Sequence, residues 1–111
     1  MKVVYYSAAR VGEISPGTGI RLKAGEHDDI ALFCTTEGLY RATGSLCPHQ
    51  NEPLDIARLE GEEVICRRHH LRFDLLSGEC TNACGYSIQT LPVIEENGNV
   101  MVGFWEEEIT L

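Results

Sequence analysis

The sequence predicts an all-β fold, a small sandwich or a partly open barrel, on three observations. Apolar or alternating runs of strand length recur from one end to the other, turn-forming residues stand between them, and no window of helical length carries a 3.6-residue apolar stripe. In order, the runs cover residues 3–6, 20–23, 30–34, 39–43, 64–66, 73–75, 88–94 and 100–104. Several are rich in Val, Ile, Phe and Tyr, which suit a pleated, half-buried surface. The breaks are Ser15-Pro16-Gly17, Glu37-Gly38, Glu60-Gly61, Ser77-Gly78 and Asn97-Gly98. Asn-Gly tolerates the positive φ of a two-residue hairpin turn, so Asn97-Gly98 reads as a hairpin tip, and Glu37-Gly38 as another. The one helical candidate is a single turn between residues 7 and 12.

With 111 residues and 12.3 kDa, the chain is one domain, residues 1–111, with a modest core and no space for separate catalytic and cofactor domains. Residues 46–80, where cysteines and histidines gather, read as an inserted lobe. No linker, repeat or low-complexity segment interrupts the chain. A net charge of -8 argues against partners with phosphate backbones or anionic lipid surfaces, so neither nucleic acid nor membrane is expected. No apolar stretch approaches the length that spans a bilayer, and the expected location is the cytoplasm. The excess of acid lies toward the C-terminus, where residues 81–111 hold five acidic and no basic groups; it reads as a solvated face.

Two short pairs carry the chemistry: Cys47-Pro48-His49 and Cys66-Arg67-Arg68-His69, a C-x-H and a C-x-x-H separated by sixteen residues. In a cytoplasmic chain, closely spaced Cys and His favour a metal over disulfides. A zinc finger takes a Cys pair and then a His pair, whereas here each loop supplies one of each. That alternation suits a two-iron cluster in which two thiolates hold one iron and two imidazoles the other.

Cys47-Pro48-His49-Gln50, Pro53-Leu54, Leu59-Glu60-Gly61, Val64-Ile65-Cys66, His69, Phe73-Asp74 and Ser77-Gly78-Glu79 resemble the Rieske-type ferredoxins of bacterial oxygenase systems. The Cys-Pro-His-Gln opening and Cys-Arg-x-His closing are most similar to the ferredoxin of toluene-type diiron monooxygenases. The resemblance implies a Rieske-type antiparallel β-sandwich with an inserted cluster-binding lobe. It also implies a 2Fe-2S cluster held by Cys47, His49, Cys66 and His69. The segment His69-His70-Leu71-Arg72-Phe73 lacks the Trp found in many relatives. His70 competes formally with His69 as a ligand, and the family register favours His69. High-potential relatives carry a disulfide between the ligand loops and a Ser hydroxyl near the cluster. The matching positions here, Arg68 and Leu71 among them, offer neither, so a low-potential site is expected.

The remaining residues have plainer readings. Cys34, on an apolar run, reads as a buried hydrophobe. Cys80 and Cys84 allow a zinc site, a disulfide or no role, and two inert thiols is the simplest reading. His27 reads as a loop residue. Arg67 and Arg68 divide evenly between surface charge and a role in stabilising the added electron or touching a partner.

No Gly-rich phosphate loop, dinucleotide fingerprint or nucleophile–base pair is visible. The expectation is a carrier and not an enzyme, taking electrons from an NAD(P)H-dependent flavin reductase and passing them to a terminal oxygenase or hydroxylase, as in aromatic hydrocarbon catabolism. A Rieske-like small subunit of an assimilatory nitrite reductase is the alternative; in that family the ligands can be absent, and here all four are present. A zinc-stabilised interaction module is a third reading.

Overall fold

A computed structural model of the protein describes residues 1–68 and 70–107. Among them are ten strands and no helix: β1 (Lys2–Arg10), β2 (Thr18–Leu22), β3 (Ile30–Cys34), β4 (Tyr40–Gly44), β5 (Arg58–Glu60), β6 (Glu63–Ile65), β7 (Arg72–Asp74), β8 (Thr90–Leu91), β9 (Val93–Glu96) and β10 (Asn99–Glu106). They form three antiparallel sheets, ordered β1-β10-β9, β2-β3-β4-β8 and β5-β6-β7. The third sheet lies in the chain between β4 and β8.

Both expected hairpins form. β3 returns as β4 past Gly38 (φ 84°), and β9 returns as β10 past Asn97 (φ 53°) and Gly98 (φ 80°), the two consecutive positive angles that a twisted hairpin favours. The helical turn expected between residues 7 and 12 is absent. Ser7 to Arg10 stay in β1, with an irregular register between Ser7 and Ala9, because the long partner β10 supplies ladder bonds that outweigh the helix preference of two alanines. The apolar run at 88–94 is broken at Pro92, which has no N–H for a ladder. β8 pairs with β4 before it, β9 pairs with β10 after it, and the Pro92 carbonyl accepts the Gly103 N–H at 2.8 Å.

β3 explains where the cores lie. All five of its residues are buried. Side chains alternate across a strand, so Ile30, Leu32 and Cys34 enter one apolar cluster with Ala42, Leu91, Val100, Val102 and Phe104, between the two larger sheets. Ala31 and Phe33 point the other way, into a second cluster with Leu54, Val64, Phe73, Leu75 and the thiols Cys47 and Cys66. The continuous apolar run of β3 is thus a wall shared by two cores. Arg41 of β4 fixes the β5-β6 hairpin to this wall, its Nε donating to Glu62 Oε1 at 2.8 Å.

Candidate metal centre

Cys47 begins a loop after β4, and Cys66 begins another between β6 and β7. The first loop is pinched by a bridge between Leu46 and Pro53. Cys47 N–H donates to the Glu52 carbonyl at 2.8 Å and the Cys47 carbonyl accepts the Asn51 N–H at 2.9 Å. The second loop repeats the plan: Cys66 N–H donates to the Leu71 carbonyl at 2.8 Å and the Cys66 carbonyl accepts the His70 N–H at 3.1 Å. In each, the residue four after the cysteine takes the left-handed conformation, Asn51 at φ 56° and His70 at φ 55°. Each cysteine is therefore held at both its backbone groups by its own loop.

The two thiols converge. Cys47 is 0% and Cys66 1% exposed, and both are buried in the same apolar cluster, near enough for Cys66 to bear on the ionisation of Cys47. Burial pushes the Cys47 thiol up, and the neighbouring Cys66 adds to this. The backbone N–H groups of His49 and Gln50 act in the opposite sense by donating to the sulfur. His49 is half-buried with its Nδ1 shielded from solvent, and its ring meets Tyr86 edge-on at 5.4 Å. His69 lies outside the described residues. Among those that are described, no three His, Cys, Asp or Glu side chains close on a single ion. The donors present, two adjoining dry thiols and an inward imidazole nitrogen, fit a cluster that takes its two thiolates on one metal and imidazoles on another.

His70 occupies the position that Asn51 has in the first loop. It is exposed, its N–H closes the loop, and its carbonyl accepts Asn82 Nδ2 at 3.0 Å. Cys34 is buried in the other core, as expected. His27 is more than a loop residue: its ring stacks on Phe104 at 4.0 Å and Nε2 lies 2.7 Å from Glu106 Oε2.

The reading of Cys80 and Cys84 as inert thiols is corrected. They form a disulfide across a tight loop, and both pack against the core that holds Cys47 and Cys66. The segment from 79 to 88 forms a third loop over the site, which sequence reasoning left without a role. Bridges of Cys80 to Phe73 and Ser87 to Glu79 close it, Asn82 Oδ1 accepts the Arg72 N–H at 3.2 Å, and Tyr86 reaches His49. Gly78 at its root has φ 81°, and a Cβ there would collide with the Ile88 carbonyl oxygen. The only trace of this loop in the sequence is the Cys80/Cys84 spacing beside Gly78.

The Rieske 2Fe-2S domain family profile matches residues 4–92. The ferredoxin component of a naphthalene 1,2-dioxygenase system from Pseudomonas putida is 33% identical, over 92% of this chain and 97% of its own. The ferredoxin component of the alkene monooxygenase system of Xanthobacter autotrophicus is 28% identical, over 91% of this chain and 82% of its own. A solved structure described as an NADH-dependent nitrite reductase small subunit from Mycobacterium tuberculosis superposes with a TM-score of 0.88 at 18% identity, covering 96% of this chain and 100% of that one, a likeness of fold.

Proposed function

This chain belongs to the Rieske 2Fe-2S domain family, and from that premise we propose that it is the ferredoxin component of a multicomponent oxygenase system, passing electrons singly from an NAD(P)H-dependent flavin reductase to a terminal mono- or dioxygenase. Cys47, His49, Cys66 and His69 are the ligands in this reading, and His70 is not one. Residues 1–111 form one Rieske domain whose cluster-binding lobe spans 46–80. The observation that carries the proposal is the convergence of the Cys47 and Cys66 thiols from two loops of matching backbone design, in a chain that matches ferredoxin components over nearly their whole length.

When bound, the cluster supplies a one-electron couple. The protein does the rest. Leu54, Val64, Phe73 and Leu75, each at most 1% exposed, keep water from the thiolate side. The His49 and Gln50 amides pointing at Cys47 sulfur favour the added negative charge. His49 is half-buried, so it lies nearer to solvent than the two enclosed thiols. The proposed role is that of a carrier, working in the cytoplasm beside its reductase, as the likeness to ferredoxin components supports. No helix among the described residues is long and apolar enough to cross a membrane.

The nitrite reductase small subunit shares the fold. The full Cys/His set favours the ferredoxin reading. The purified protein is expected to hold two irons and two sulfides per chain, to be coloured, and to give an EPR signal after taking up one electron. A colourless protein containing zinc overturns the reading.

A further inference from the structure

The two ligand loops are each closed by their own backbone, which leaves open what fixes one relative to the other. Arg68 makes polar contacts between them. Arg68, on the second loop, donates from Nη1 to Gln50 Oε1 at 2.9 Å, and its Nε lies 3.3 Å from Glu52 Oε1. Its neighbour Arg67 carries the same charge and is also exposed, yet makes no hydrogen bond or ion pair among the described residues.

The placement gives this contact leverage. Gln50 directly follows His49, and Arg68 directly precedes His69. Glu52 is the residue whose carbonyl takes the Cys47 N–H, and its side chain is 24% exposed against 57% for Arg68. A guanidinium is planar, permanently charged and able to donate in two directions at once, which an ammonium on a flexible stem does not reproduce with the same geometry. We propose that Arg68 is a positioning residue, a clamp that holds the two ligand loops at a fixed separation and so sets how long the cluster stays bound, beyond any effect of its charge on the added electron. The inference rests on the ligand assignment given above.

The test compares the two arginines in the holoprotein. Iron and sulfide content is measured first; if no cluster is present, the ligand assignment fails and the clamp is excluded with it. Cluster loss is then followed as bleaching of visible absorbance in excess chelator for the parent, R67Q, R68Q, R68K and E52Q. An exposed pair is a modest restraint, so R68Q should bleach roughly threefold to fivefold faster than the parent, with R67Q close to the parent. R68K should fall between, and R68Q/E52Q should be no faster than R68Q alone, because both changes break one contact. The EPR spectrum of the reduced cluster should broaden in R68Q and not in R67Q, while the two variants shift the midpoint potential by similar amounts. Equal bleaching rates for R67Q and R68Q, or additive effects of R68Q and E52Q, overturn the clamp. If R68Q does not fold, E52Q carries the same comparison, and a parental bleaching rate in E52Q overturns it.

Discussion

The loop that begins at Cys47 and the loop that begins at Cys66 share their closing backbone bonds and differ in sequence. Both hold the cysteine by its N–H and its carbonyl, and both turn through a left-handed residue four positions on. The first places its histidine two residues after the cysteine, the second three. The comparison teaches that a shared set of backbone bonds fixes the two cysteines, while the spacing from cysteine to histidine differs between the loops. The frames also differ in support. The first is pinched between Leu46 and Pro53 and anchored by Leu54, whose N–H donates to the Ser45 carbonyl at 2.9 Å. The second stands at the end of the short β6-β7 hairpin and is braced by Asn82 from the third loop.

If the frames are equivalent in holding sulfur, deleting either thiol has the same and largest effect. Cys47→Ala and Cys66→Ala should each lose the cluster entirely, as should His69→Ala. The sandwich should persist, because the other face of β3 packs against Leu91, Val100, Val102 and Phe104 without help from the lobe. Iron analysis with far-UV circular dichroism checks both halves. Retention of iron by either cysteine variant, or loss of the β spectrum along with the cluster, breaks the comparison.

Much of this was legible in the sequence, and what was not has physical reasons. The β3 run and the Asn97-Gly98 hairpin stand out because burial on both faces and a two-residue turn each demand particular residues. β5 escaped because Arg58-Leu59-Glu60 offers one apolar residue, too few to show a period, although pairing with β6 makes it a strand. The run at 88–94 reads as one strand until Pro92 is seen to divide two sheets. The pairing of Cys47 with His49 and of Cys66 with His69 shows in the spacing, while their service as one ligand set is what the family resemblance implies. The equivalence of the two frames does not show there, since it is written in backbone hydrogen bonds and in left-handed Asn51 and His70, with no glycine to mark either turn. The disulfide and the third loop were hidden for a similar reason: spacing shows that Cys80 and Cys84 are near each other and cannot show that they face.

The left-handed positions give a smaller test. An L-residue with a Cβ pays roughly 1–2 kcal/mol there, and Asn and His are among those that tolerate it best. Asn51→Gly and His70→Gly should each raise the stability of the folded chain by up to about 1 kcal/mol in urea titrations, reduced by the entropy glycine adds to the unfolded state. His70→Asn, which copies the first loop onto the second, should be close to neutral and keep full iron. Loss of iron in His70→Asn would show that His70 binds metal and that the second frame has been misread.

The smallest expected effect concerns Asp74, at the end of the strand β7 that follows the second loop. Its Oδ1 accepts the N–H groups of Leu76 and Ser77, each at 2.8 Å, and so shapes the turn that follows β7. The Ser77 amide chiefly, with help from that of Leu76 and against the pull of partial burial, holds the Asp74 carboxyl below its ordinary range. A carboxylate whose pKa is lower folded than unfolded contributes stability that is present above the unfolded value, about 3.9, and is lost as pH falls through the folded value. Asp74→Asn keeps an oxygen that can accept both amides and removes the charge. The parent should therefore be more stable than Asp74→Asn at pH 7, and the gap should narrow steadily once the pH drops below about 4. Urea titrations of the two apoproteins at matched pH values measure it directly. A gap that stays constant from neutral into acid would mean that shape and not charge makes the turn.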